Sequence, residues 1–94
     1  MIKIIKSGGY ISMLNDIADD ELYGLILQRE KLFMNKPNDS RLDNHALRKR
    51  MKGKFAFSIT GDMRIIYEWL GKNTVRLLAI GGHKKVYSRR LSVK

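Results

Sequence analysis

The period of the apolar positions changes along the chain, and each change marks an element. Residues 2–5 (IKII) are apolar and β-branched, which predicts a short first strand. Ser7-Gly8-Gly9 breaks it. Tyr10, Ile11, Met13, Leu14 and Ile17 then recur at helical spacing and predict a short first helix. Asp19 and Asp20 are good N-cap residues whose charge suits the positive end of a helix dipole. From there Leu22, Leu25, Ile26, Arg29, Leu32 and Phe33 trace one face of a second helix. Pro37-Asn38 stops it, and the two helices read as an antiparallel hairpin.

Residues 36–54 are polar and basic and predict a loop with one turn of helix near residues 45–48. Residues 55–59 (FAFSI) alternate as a strand, and Thr60-Gly61-Asp62 makes a tight hairpin turn. Residues 63–70 (MRIIYEWL) form the next strand, Gly71-Lys72-Asn73 turns again, and residues 74–80 complete a meander. Gly81-Gly82 ends it, and residues 83–94 form a basic tail. The order β-α-α-β-β-β predicts an α+β class. A short N-terminal strand and a helical hairpin precede a three-stranded antiparallel meander, which forms a curved sheet with helices on one face.

Alternation also assigns faces. Ile65, Tyr67 and Trp69 share one face of the middle strand; Phe55, Phe57 and Ile59 share one face of the strand before it. This aromatic face should meet the helices. Arg64, Ile66 and Glu68 then point the other way, toward an open sheet surface, where Arg64 is either solvated or paired with Glu68.

Composition narrows the class. The 94 residues suit one domain spanning 1–94. With no cysteine, disulfide scaffolds, zinc knuckles and thiol nucleophiles are excluded, and a cytoplasmic location fits. The first ten residues carry no signal-cleavage pattern, and nothing approaches the roughly 20 apolar residues of a membrane helix. The net charge of +10 is unevenly placed. Residues 1–35 hold four basic and five acidic side chains (4 − 5 = −1), and residues 36–94 hold fifteen and four (15 − 4 = +11). Most of the chain is a polycation, which fits a solvated surface or, better, a polyanionic partner such as nucleic acid.

The candidate chemistry is sparse. His45, in the basic loop, and His83, behind two glycines at the end of the last strand, are the two histidines. Histidine as a type exchanges protons near neutrality, so either suits phosphodiester cleavage, although a lone loop histidine is more often only solvated. Two histidines without a carboxylate cluster make a poor metal site, and Gly8-Gly9 lacks phosphate-loop spacing. Cleavage of RNA by its own 2′-hydroxyl needs a base, an acid and cations for the charge that develops on phosphorus. Arginine supplies that charge with a two-pronged fork, and Tyr87 can stack on a base.

Several pieces in order carry a family resemblance: His45-Ala46-Leu47, Lys52-Gly53, Phe57-Ser58-Ile59, Asp62-Met63-Arg64-Ile65-Ile66-Tyr67, and Ile80-Gly81-Gly82-His83 with Tyr87. Together with the N-terminal strand and helices they cover nearly the whole chain. The sequence resembles the RelE/ParE toxin superfamily, in particular its RelE/StbE, YafQ and YoeB branches. The resemblance implies the toxin of a type II toxin–antitoxin system: an endoribonuclease, without cofactor or metal, that cuts mRNA on the ribosome. It also implies neutralisation by a cognate antitoxin, with the toxin alone monomeric and no membrane partner.

By the same resemblance Arg64 matches the arginine on the scissile phosphate, His83 the general acid, and His45 a general base. Tyr87 matches an aromatic near the nucleotide, and Asp62 an acidic turn residue of YafQ-like toxins. Lys52, Lys54, Lys84 and Lys85 are the expected contacts to the RNA backbone. The sequence departs from the pattern at three places. Phe55 and Phe57 stand where RelE-like toxins carry lysines, Ser58 where YafQ-like toxins have a second histidine, and Ala79 near a YafQ-like arginine. Two other readings stand beside the nuclease: a ParE-like gyrase-inhibiting toxin without nuclease activity, which shares the fold but against which His45 with His83 argues, and a degenerate toxin retained as an antitoxin-binding module, which the departures at Ser58 and Ala79 keep open.

Overall fold

The computed structural model describes residues 1–82. Its elements are β1 (Lys3–Lys6), α1 (Gly8–Asn15), α2 (Asp20–Asn35), β2 (His45–Ala46), β3 (Phe55–Ser58), β4 (Met63–Trp69) and β5 (Thr74–Gly82), with 3-10 turns at Ser40–Leu42 and Lys49–Met51. The helices start where side chains can satisfy their free N–H groups. Ser7 accepts from Tyr10 N, and Asp19 accepts from both Glu21 N and Leu22 N. Among the described residues no helix is long and apolar enough to cross a membrane.

The five strands form one mixed sheet in the order β1-β5-β4-β3-β2. The class is α+β as the sequence predicts, but the sheet is larger than a meander. β1 runs parallel to β5, with Lys3 opposite Thr74 and Lys6 opposite Leu77. The helical pair supplies the crossover that a parallel pairing requires. A second difference lies at the other edge. The expected helical turn near residues 45–48 is absent; His45 and Ala46 instead pair with Ala56 and Phe55 as the edge strand β2. Two residues are too few to show a strand period, so the pattern could not reveal it.

The helices cover the aromatic face. Phe33 of α2 stacks on Phe57 at 4.5 Å between ring centroids and meets Tyr67 edge-on at 4.8 Å. Ile26, Phe33, Phe57, Ile65 and Tyr67 are essentially inaccessible to solvent. Trp69, assigned to this face, lies beyond the cover and is 38% exposed. The opposite face differs from expectation at its centre, where Ala56, Ile66 and Ala79 are fully buried. This face opens toward the hairpin between β3 and β4, and again at the other end, where Glu68 and Arg76 pair at the surface.

β5 carries a bulge. Ile66 pairs with Ala79 but Tyr67 pairs with Leu77, so Leu78 is the extra residue. Its carbonyl lies 3.5 Å from the Ser7 hydroxyl, which donates to it.

One polar group is folded into the helical layer. Glu30 of α2 is 7% exposed and receives the Tyr10 hydroxyl at 2.5 Å and the Lys6 ammonium at 3.2 Å. Burial, reinforced by the Glu30 carboxylate, pushes the Tyr10 hydroxyl well above the ordinary tyrosine range, so it stays a donor. The network ties β1, α1 and α2 together. Tyr10→Phe removes one partner of a buried carboxylate and should cost about 1.5–3 kcal/mol. Urea unfolding measures this, and an unchanged midpoint would show that Lys6 alone satisfies Glu30.

Candidate functional site

The register places the expected residues in rows. Ala79, Ile66, Ala56 and His45 lie opposite one another across β5, β4, β3 and β2, so His45 extends on the face away from the helices. One row toward the hairpin, Gly81, Arg64 and Ser58 are opposed. Extending the β2 register by two residues brings Asp43 beside Ser58. Arg64 and His45 thus share a face, about 10 Å apart across the strands and about 7 Å along them. Arg64 lines the cavity at the hairpin end, and His45 stands outside its lining.

Arg64 is half-buried, and its Nη1 donates to the Ser58 hydroxyl at 2.5 Å. The alternative pairing with Glu68 does not occur; Glu68 accepts from Arg76 Nη2 at 2.6 Å and Nε at 2.9 Å. The reason is cross-strand geometry: Glu68 lies directly opposite Arg76, whereas Arg64 lies opposite Ser58. Ser58 aims the guanidinium but leaves most of its donors free for an anion.

His45 is exposed, and its Nδ1 lies 2.7 Å from the Asp43 carbonyl. A carbonyl can only accept, so Nδ1 carries the proton. In the neutral ring Nε2 then holds a lone pair and faces outward, as a general base requires. The segment that presents it is fixed from below. Asp43 adopts a left-handed conformation with φ 45°, which aspartate tolerates. Asn44 accepts from the Tyr67 hydroxyl at 2.7 Å and donates to the Pro37 carbonyl at 3.1 Å. Burial raises the Tyr67 hydroxyl to about 12, against the opposing effect of Asn44, so it is a fixed donor and not a proton carrier.

A cavity of about 400 Å³ opens at the hairpin end, lined by Arg64, Ser58, Thr60, Asp43, Arg41 and Arg29, among others. Sequence reasoning missed Arg29, Arg41 and Asp43. Arg29 did leave a signal, because it interrupts the apolar stripe of the second helix. Arg41 is held by Asp39 through Nε and Nη2, both at 2.9 Å. The hydrogen bonds from Arg41 keep the Asp39 carboxyl far below the usual carboxylate range and raise Arg41 in turn. A depressed carboxylate stabilises the fold above its ordinary value of 3.8 and loses that contribution only on strong acidification, so the pair is intact at neutral pH.

The remaining expected residues are more dispersed. Lys54 precedes β3, and strand alternation puts it on the face of Ala56 and His45. Lys52 is exposed beside Gly53, whose φ of 92° suits glycine. Asp62 is exposed in the hairpin turn, with its carboxylate against Gly82; a Cβ built there would lie 2.8 Å from Oδ2. His83, Lys84, Lys85 and Tyr87 lie outside the described residues. Among the described residues no three His, Asp or Glu side chains cluster as a metal site would need.

The two helices on a five-stranded mixed sheet give this chain the fold of the RelE/ParE toxins. It is similar to the YoeB/ParE toxin from Agrobacterium tumefaciens, with TM-score 0.73 and 15% identity over 87% of this chain and 99% of that one. YafQ from E. coli gives TM-score 0.72 and 18% identity over 93% and 99%. The RelBE2 toxin–antitoxin complex from Mycobacterium tuberculosis gives 0.71 and 15% over 87% and 98%. No protein-family model matches the sequence, and no curated protein matches it.

Proposed function

We propose that this chain is the toxin of a toxin–antitoxin pair and an endoribonuclease that cuts mRNA at the ribosome. The observation that carries the reading is the juxtaposition of Arg64 and His45 on one sheet face, with the outward nitrogen of His45 free to accept a proton. Likeness in fold to YoeB, YafQ and RelE supports it, and the RelBE2 complex supports an antitoxin partner.

In this reading His45 Nε2 takes the proton of a ribose 2′-hydroxyl. That oxygen attacks the adjacent phosphorus, and Arg64 meets the charge on the non-bridging oxygens. The bond from phosphorus to the 5′ oxygen breaks, and His83 gives that oxygen a proton. The products are a 2′,3′-cyclic phosphate and a 5′-hydroxyl, and the protons balance between the two histidines. Lys52, Lys54, Lys84 and Lys85 hold the RNA backbone, Tyr87 contacts the nucleotide, and Asp62 stands in the hairpin turn next to the strand of Arg64.

Induced expression tests the proposal, with growth and mRNA 5′ ends followed in the same cultures. The expected result is arrest with new 5′-hydroxyl ends in the wild type, and neither in Arg64→Ala or His83→Ala. Arrest without cuts would redirect the search to gyrase. No arrest from soluble, folded protein would leave an antitoxin-binding module.

A further inference from the structure

The cavity beside Arg64 does not end there. A second cavity of about 390 Å³ is lined by Gln28, Lys31, Leu32 and Lys36 of the α2 region, and it shares Arg29 and Arg41 with the first. Positions 28, 31, 32 and 35 fall on one face of α2, so the two cavities form one trough running from Arg64 along that helix. From Arg29 to Lys36 the helix advances about 10 Å. Five cationic side chains line the trough: Arg64, Arg29, Arg41, Lys31 and Lys36. The one acid lining it is Asp43, since Asp39 lies outside the lining and is engaged by Arg41.

Arg29 is the unexplained member. Its Nε is buried and has no hydrogen-bond partner among the described residues, and it sits in the apolar stripe of α2. A buried charged donor without an acceptor is costly, and an anion in the trough would satisfy it. Arg41 can contribute as well, because Asp39 engages two of its five N–H groups and fixes its plane. Ser58 plays the matching part for Arg64. The arginine forks are therefore oriented before any ligand arrives, which lowers the ordering cost of binding.

We propose that this trough binds the phosphates of single-stranded RNA flanking the scissile one, with Arg29 and Arg41 as backbone contacts and Lys31 and Lys36 at its outer end. The inference rests on the nuclease reading, because the trough begins at Arg64. Its lining explains the placement: among the described residues it holds several cations in a line, few acids and no aromatic side chain to stack a base, which suits a backbone more than a nucleobase.

The test uses the full chain and a short 2′-O-methyl RNA that cannot be cleaved. Binding is followed by fluorescence anisotropy over a salt series. Arg29→Gln is expected to weaken binding roughly tenfold, and each lost phosphate contact lowers the slope of log affinity against log salt by about 0.7. Lys36→Gln, an exposed change that leaves the core alone, should reduce the slope in the same way. Lys72→Gln, in the turn at the far end of β4, should retain the wild-type slope. Wild-type binding and slope in folded Arg29→Gln and Lys36→Gln would overturn the trough while leaving the nuclease reading intact. Unchanged RNA binding with weakened capture of an oligoglutamate peptide would overturn it in favour of a protein carboxylate. A wild-type chain that neither binds nor cuts RNA would remove the underlying reading with it.

Discussion

His45→Ala is expected to slow RNA cleavage by about two to four orders of magnitude while leaving the fold unchanged. The ring is exposed and, among the described residues, makes one hydrogen bond, to the Asp43 carbonyl, so its loss opens no cavity. That single bond is informative all the same. It selects the tautomer that leaves the lone pair on Nε2. Added imidazole should return part of the lost rate in His45→Ala, because the missing group is a proton acceptor. Arg64→Ala should lose a comparable amount and gain nothing from imidazole, since its loss removes charge at phosphorus. Combining the two should cost less than the sum if both act in one transition state. Single-turnover cleavage on programmed ribosomes would measure all three. Full activity in folded His45→Ala would take this residue out of the site.

The largest effect on stability is expected from Phe33→Ala. Phe33 stacks on Phe57 and meets Tyr67 edge-on, and none of the three rings is more than 1% exposed. Truncation should cost about 3–5 kcal/mol, a large share of the roughly 5–15 kcal/mol that holds a domain together. Phe33→Leu, which keeps most of the volume, should cost much less. The site should suffer too, because the Tyr67 hydroxyl holds Asn44, and Asn44 sits between Asp43 and His45. Phe33→Ala that remains folded should therefore lose activity before it loses helix content. A urea midpoint equal to that of the wild type would mean that this face packs differently.

Much of this was legible in the chain. The helical stripe from Leu22 to Phe33, the two-residue period of β3 and β4, and the glycine turn at Gly61 each come from local sequence. The aromatic face follows from alternation alone. What could not be read is non-local. Nothing in residues 2–5 says that β1 lies parallel to β5, because that pairing is decided by the helices between them. β2 is too short for a period, and its partner lies ten residues further on, across a loop full of charge. Ser58 read as a missing histidine until its position opposite Arg64 gave it a partner. Arg29 was the reverse case: it broke a pattern in plain view, yet only the Nε left without an acceptor gave the break a meaning.

The extra residue at Leu78 acts as a change of phase in β5. Before it the odd positions Val75 and Leu77 turn to the helices; after it Ile80 does, and Gly81 falls into the row of Arg64. The same residues paired without that step would carry Ile80 onto the face of Arg64 and Gly81 into the core. Deleting Leu78 would instead make the pairing regular and leave Ala79, Ile80 and Gly81 on the faces they now occupy. The parity of one strand, set by one residue, decides whether Arg64 has open backbone or a bulky neighbour at its side.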